Sequence, residues 1–196
     1  RQMKRKVFDL RPWARVARHS QSVLNLPGYV IVDYVAHEVT RPLDVEFGGR
    51  TIRVLDSGFR WVRVHPTGES GVTGSALSAM LDAGGVPVQV YVDIHVGEGV
   101  GEDGLPWTDD AYLDVIGDWH VGNRGDGDGQ AGRVTEAHII DAEDLEAAVQ
   151  GGLVTPQEAQ DVWARAQDVR AALLEGTYAP LAAVSYTHLR AHETRH

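Results

Sequence analysis

The chain has 196 residues, a formal net charge of −10 and no cysteine, which excludes a disulfide framework and a thiolate metal site. No apolar run approaches the ~18–20 residues that span a membrane, and no apolar signal core follows the basic N-terminus, so a cytoplasmic protein is expected. The acidic balance argues against general nucleic-acid binding, where a basic face supplies most of the affinity.

Met3 is the expected natural start. Residues 185–196 form a polar run without periodicity that holds three of the nine histidines; they are expected to be foreign to the native fold. Setting aside Arg1, Arg190, Arg195 and Glu193 leaves 15 basic and 27 acidic residues. Residues 3–184 are of a size for one domain.

The first half alternates short β-like runs with Gly- and Pro-marked breaks, at 29–35, 51–55 and 59–64, as in antiparallel meanders or small barrels. Residues 73–81 fit strand and helix equally well. The clearest strand is 88–96: Val88, Val90, Val92, Ile94 and Val96 share one face, and Gln89, Tyr91, Asp93 and His95 the other. A Gly-rich acidic loop over 97–107 then leads to a second strand at 112–116. Residues 122–132 read as a loop in which Asp126 and Asp128 lack the spacing and closing Glu of a calcium loop, and a third strand over 133–140 ends at Asp141. Helices follow. Asp141 is placed to cap one with the stripe Leu145, Ala148 and Val149. Thr155-Pro156-Gln157-Glu158 is a capping box with proline at N1. The next helix carries Ala159, Val162, Trp163, Ala166, Val169, Leu173 and Leu174 at helical spacing, and Gly176 and Pro180 end it. The expected fold is therefore α+β: a small antiparallel β-barrel over about 22–141, followed by C-terminal helices over about 142–176.

Charge is unevenly spread. Residues 3–20 hold six Lys/Arg against Asp9 alone, whereas 65–123 hold ten acids and no Lys or Arg. Carboxylates so short of nearby cations are either solvated or neutralised by metal. Four acidic segments stand out: Asp93, the 109–114 segment with Asp110 and Asp114, Asp141, and Glu143-Asp144; three of them come at strand positions or strand ends, where the backbone is stiff enough to fix geometry. Oxygen donors of this kind suit Mg2+ or Mn2+. In a straight strand Asp110 and Asp114 would lie ~13 Å apart at ~3.3 Å per residue, so either the chain bends near Asp110 or two ions are held. Each aspartate also has a plain alternative: Asp141 as a helix cap, Asp109 and Asp110 in a turn, Asp93 as a solvated strand residue. His65 and His95 are weighed as structural residues and left outside the ligand set.

The segments Val90-Tyr-Val-Asp-Ile94, Pro106-Trp-Thr-Asp-Asp-Ala-Tyr-Leu-Asp-Val115 and Ile140-Asp-Ala-Glu-Asp-Leu145, together with Gly58-Phe-Arg-Trp-Val62, resemble the signature blocks of the FomD-like family, over roughly 49–176. That family includes nucleoside tri- and diphosphate phosphatases and a hydrolase of cytidylyl phosphonates. The resemblance implies two divalent cations, Mg2+ or Mn2+, with Asp93, Asp110, Asp114, Asp141 and Asp144 at ligand positions. It also implies a catalytic arginine in the N-terminal part, for which Arg41, Arg50, Arg53, Arg60 and Arg63 are candidates. Tyr112 departs from the pattern, standing where some members have a further aspartate. The implied activity is hydrolysis of a phosphate anhydride in a nucleotide or nucleotide-like small molecule, with no membrane partner. An RNA-directed phosphodiester hydrolase, docked through the basic N-terminal arm, and a metal- or nucleotide-binding module without turnover are the alternatives.

Overall fold

A computed structural model describes residues 4–120 and 132–193. Strands come first in the chain and helices last. The strands are β1 (Arg5–Val7), β2 (Val16–Leu26), β3 (Tyr29–Val39), β4 (Leu43–Phe47), β5 (Arg50–Leu55), β6 (Arg60–Pro66), β7 (Ser75–Leu81), β8 (Pro87–Val100), β9 (Pro106–Asp118) and β10 (Ala137–Ile140). Every pairing among them is antiparallel. The main sheet runs β1-β9-β8-β7-β6-β3-β2, and β10 also pairs with β9. It curls into a half-barrel. β4 and β5 form a separate hairpin turned by Gly48 and Gly49, both at positive φ, as a two-residue turn matched to strand twist requires.

The two faces of the main sheet differ in chemistry because side chains alternate along each strand. On one face Ile31, Val62, Val64, Leu77, Ala79, Val90, Val92 and Val115 are buried in a single apolar cluster with the helices. The opposite face buries Arg63, His65, Ser78, Gln89, Asp93, His95 and Asp114 beside Phe8, Val32 and Ala76. The alternation expected for 88–96 is thus seen, but both faces are buried, and Val96 is instead exposed at 51 %.

The helices are α1 (Ala142–Gln150), α2 (Pro156–Glu175) and α3 (Pro180–Glu193). α2 begins at the expected capping box, with both reciprocal hydrogen bonds formed between Thr155 and Glu158. It buries Ala159, Val162, Ala166, Val169 and Leu173, while Leu174 points outward. Full burial of a side chain such as Leu173 contributes about 1.5–3 kcal/mol. α2 also ties itself to the sheet, through Arg165 to the carbonyl of His95 and Arg170 to that of Ala137.

Several expectations need correction. Strands begin at Arg5, not near residue 22, because β1 pairs with a strand a hundred positions away and carries no local signal. Residues 75–81 are strand. The expected loop over 97–107 shrinks to a turn between two long strands, β8 and β9, paired as far as Val100 and Pro106. The third strand is shorter, confined to Ala137–Ile140, with His120 and Arg133 forming an isolated bridge before it. Asp126 and Asp128 lie outside the described residues. Pro180 starts a helix rather than only ending one, as its fixed φ suits the first turn. α3 continues to Glu193, into the run set apart as foreign, and Thr187 is buried there. No helix among the described residues is long and apolar enough to cross a membrane.

Candidate metal centre

Asp93 lies directly across from Asp114 in the β8–β9 pairing, and His95 lies across from Asp110. Two residues of β8 are therefore matched by four of β9. The excess is taken up in a bulge at residues 111–113, where Tyr112 adopts φ 74, a left-handed conformation that costs a bulky residue about 1–2 kcal/mol. This is the bend that strand arithmetic gave as one of its two alternatives. Over the bulge Asp110 and Asp114 are separated by about two strand steps, near ~7 Å, instead of four. Oxygens of Asp93, Asp110 and Asp114 consequently come within 4.8 Å of one another.

Asp141 and Asp144 fall outside that cluster but line the same groove. This groove, of about 530 Å³, is bordered by Lys4, Lys6, Tyr91, Asp110, Tyr112, Asp114, Asp141 and Asp144. Asp141 holds the N-cap position of α1 at φ 66, yet its side chain makes no capping hydrogen bond. It interacts with Asp114 instead. The plain capping account of Asp141 therefore fails, and so does the turn account of Asp110, which sits inside β9.

Burial and the neighbouring Asp93 carboxylate push Asp114 up to about 9. Asp110 is raised too, chiefly by burial, with Lys6 opposing and Asp93 reinforcing the shift. The Tyr91 hydroxyl donates to Asp114 Oδ2 at 2.5 Å, and burial together with Asp114 raises the tyrosine. One oxygen each of Asp110 and Asp114 is buried without a hydrogen-bond partner, an arrangement that costs free energy when a group is ionised.

The missing local cation is supplied from β1. Lys6 Nζ donates to Asp93 Oδ1 at 3.0 Å and lies 3.7 Å from Asp110 Oδ1. Burial works against its charge, but Asp93 and Asp110 more than offset it and raise its pKa. Next to it, Arg5 pairs with Asp109 and stacks over Trp107. The sequence offered solvation or metal for these acids; a lysine from a distant strand is a third means of neutralisation. Lys6 and Tyr91 are thus site residues that sequence reasoning missed, although Tyr91 shares the predicted face of Asp93.

No arginine lines the groove among the described residues. Arg41 and Arg50 are exposed. Arg53 is tied to Asp44 and Asp56 at the surface. Arg60 pairs with Asp33 on the helix-covered side of β6, three residues and hence one face away from Arg63. Arg63 alone shares the face of Asp93. It is 9 % exposed, with its guanidinium 4.2 Å over the Phe8 ring, and burial lowers its pKa while Asp93 opposes that shift.

No family model matches the chain, and neither does any curated protein. Solved structures do. The crystal structure of phosphatase SC4828 with the non-hydrolyzable nucleotide GPCP superposes with a TM-score of 0.54 and 16 % identity, over 83 % of this chain and 76 % of that one. The chain has the fold of phosphatase SC4828. At this identity the likeness to SC4828 is one of fold, and at that level it agrees with the FomD-like resemblance of the acidic blocks. Also matched are FomD in complex with CDP (TM-score 0.49, 19 % identity, 81 % of this chain and 78 % of that one) and a DUF402 protein of unknown function from Rhodococcus sp. RHA1 (0.42, 17 %, 94 % and 95 %).

Proposed function

We propose that the chain hydrolyses a phosphate anhydride bond in a nucleoside di- or triphosphate, or a nucleotide-like compound, at a divalent-metal centre built on Asp93, Asp110 and Asp114. The observation that carries this reading is the bulge in β9, which costs backbone strain and in return gathers three carboxylates within 4.8 Å. The donor set is all oxygen, and two of its oxygens are buried without a hydrogen-bond partner. Mg2+ and Mn2+ favour such donors. Asp141 and Asp144 extend the acidic wall of the groove and are the residues that would help to hold a second ion.

Bound cations of this kind lower the pKa of a coordinated water and neutralise phosphate charge. The chain's own residues do the rest. Tyr91 holds Asp114 in orientation through its hydroxyl. Lys4 and Lys6 put positive charge on the groove wall, where it attracts a polyphosphate and grips non-bridging oxygens. Arg63 reinforces that field from the same face of the sheet. The groove volume falls within the range of about 300–1,000 Å³ usual for small-molecule sites. That SC4828, with the same fold, is a phosphatase crystallised with a nucleotide analogue supports the substrate class.

One observation favours a second reading. Tyr112 occupies the centre of the bulge, where a further carboxylate would strengthen the hold on a second ion, so a metal- or nucleotide-binding module without turnover is the competitor. A panel of nucleoside di- and triphosphates assayed for orthophosphate and nucleoside monophosphate decides between them. Release that depends on Mg2+ or Mn2+ and stops with chelator supports the hydrolase. Tight nucleotide binding without any release would replace it with the binding module.

A further inference from the structure

β8 contains a second irregularity beyond the one matched to the aspartates. Between His95, opposite Asp110, and Gly97, opposite Asp109, one extra residue is inserted. That residue is Val96, expelled to the surface. A one-residue bulge reverses the alternation of everything that follows it. In a regular strand Glu98 would point away from His95; after the bulge it shares the same face, opposite Thr108. Glu98 is thereby brought to His95 and, on β6, to His65.

The three side chains meet at ligand spacing. His65 Nε2 lies 3.4 Å from Glu98 Oε2, and His95 Nε2 lies 3.9 Å from the same oxygen. One donor atom from each residue falls within 4.8 Å of the others. A tetrahedral ion with bonds of about 2.0–2.1 Å sets its donors about 3.3–3.4 Å apart, so closure asks only for small side-chain shifts.

The rings are held ready. His95 is 1 % and His65 2 % exposed. The His95 ring hydrogen-bonds the Ser75 backbone, while its Nε2 has no hydrogen-bond partner; that nitrogen is the one facing Glu98. Phe8 packs edge-on against His65, and the two imidazoles lie nearly parallel at 6.2 Å. A second-sphere hydrogen bond that fixes one ring nitrogen and leaves the other free is the usual arrangement of a metal-ligating histidine; His95 has it, whereas His65 Nδ1 is buried without a hydrogen-bond partner and its ring is held by packing against Phe8. Glu98, with its side chain 40 % exposed, leaves the site open to solvent for a water as fourth ligand.

We propose that His65, His95 and Glu98 form a second cation site, distinct from the aspartate centre and selective for a transition ion of the Zn2+ class. Two imidazoles and one carboxylate are a borderline-soft set that Zn2+ and Co2+ prefer and Mg2+ does not. The site goes beyond the proposed hydrolysis and does not depend on it.

Co2+ is the probe, because tetrahedral nitrogen-ligated Co2+ absorbs strongly in the visible and octahedral oxygen-ligated Co2+ only weakly. The intact chain is expected to show such a band in excess Mg2+, and equimolar Zn2+ should abolish it. The band should persist in Asp114→Asn. Glu98→Gln, a change at a half-exposed side chain that leaves the core untouched, is expected to weaken Co2+ binding at least ~10-fold, and His65→Gln to remove the band. Co2+ binding unaltered in both variants, a band lost in Asp114→Asn, or no band in the intact chain would each overturn the proposal.

Discussion

Asp93 on β8 and Asp114 on β9 are direct cross-strand partners, with Lys6 on Asp93 and the Tyr91 hydroxyl on Asp114. Like charges at such a position normally destabilise a strand pair. Here the repulsion is concentrated on Asp114, which is held protonated far above the usual carboxylate range.

Replacing Asp114 by Asn keeps the shape and removes the charge. Without metal the Asp114→Asn protein is expected to melt at the same temperature as the parent or slightly higher. Added Mg2+ or Mn2+ is expected to raise the parent's melting temperature by mass action, and most of that rise to vanish in the variant together with phosphate release. A variant that retains the parent's metal-dependent shift would remove Asp114 from the centre.

The same group sets a pH dependence in chelator-treated protein. Its folded pKa, about 9, stands above the unfolded value of about 3.9. The folded state therefore binds more protons in that window, and stability contributed by this group falls as pH rises from about 4 to about 9. Melting temperatures of parent and Asp114→Asn, measured without metal across this range, should diverge in favour of the variant as pH increases. Parallel curves would show that Asp114 ionises normally.

A cation held by Asp93 would compete with Lys6, which already donates to that carboxylate. Lys6→Ala is expected to tighten Mg2+ binding to the nucleotide-free protein, since a repelling charge is gone, and to destabilise the metal-free fold by leaving Asp93 and Asp110 uncompensated. If the lysine also grips phosphate, KM for nucleotide should rise in the same variant. Calorimetric Mg2+ titration and steady-state kinetics read the two effects separately. Weaker Mg2+ binding would show that Lys6 assists the ion rather than opposing it.

Among the five candidate arginines only Arg63 is expected to matter for turnover. Arg63→Ala should lower phosphate release at least ~10²-fold, as removal of one electrostatic stabiliser does. Arg41→Ala, Arg50→Ala and Arg53→Ala should be near normal. Arg60→Ala should cost stability through Asp33 but not rate in the folded fraction. A normal Arg63→Ala enzyme would leave Lys4 and Lys6 as the steadying groups.

What was legible in the sequence was local. The Thr155–Glu158 box, the alternation around Asp93 and the three acidic blocks each depend on residues within a few positions, and each stands where expected. A bend near Asp110 was one of the two outcomes that strand length left open, two ions being the other. Its form was not legible: nothing in Ala111-Tyr112-Leu113 announces a left-handed tyrosine, because the conformation is imposed by pairing with β8. Lys6 was invisible as a site residue for a related reason. A three-residue strand has no periodicity, and its partner lies 104 positions on. Glu98 was read as part of a loop, and only the expulsion of Val96 turns it toward the histidines.

β1 carries a temporal consequence. β8 and β9 are joined by a short turn, so their acid-bearing hairpin closes with little loop entropy, whereas docking β1 closes a loop of about a hundred residues. The lysine that relieves the aspartates precedes them in the chain, and the cost of closing that loop is expected to seat it after the hairpin has formed. Until it docks, the segment of β9 that β1 will cover, Trp107–Asp109, is an open edge with Asp109 and Asp110 at its end, and charge at such an edge discourages another strand from adding there. Acids that line the groove in the folded chain are thus expected to guard an open edge while it folds.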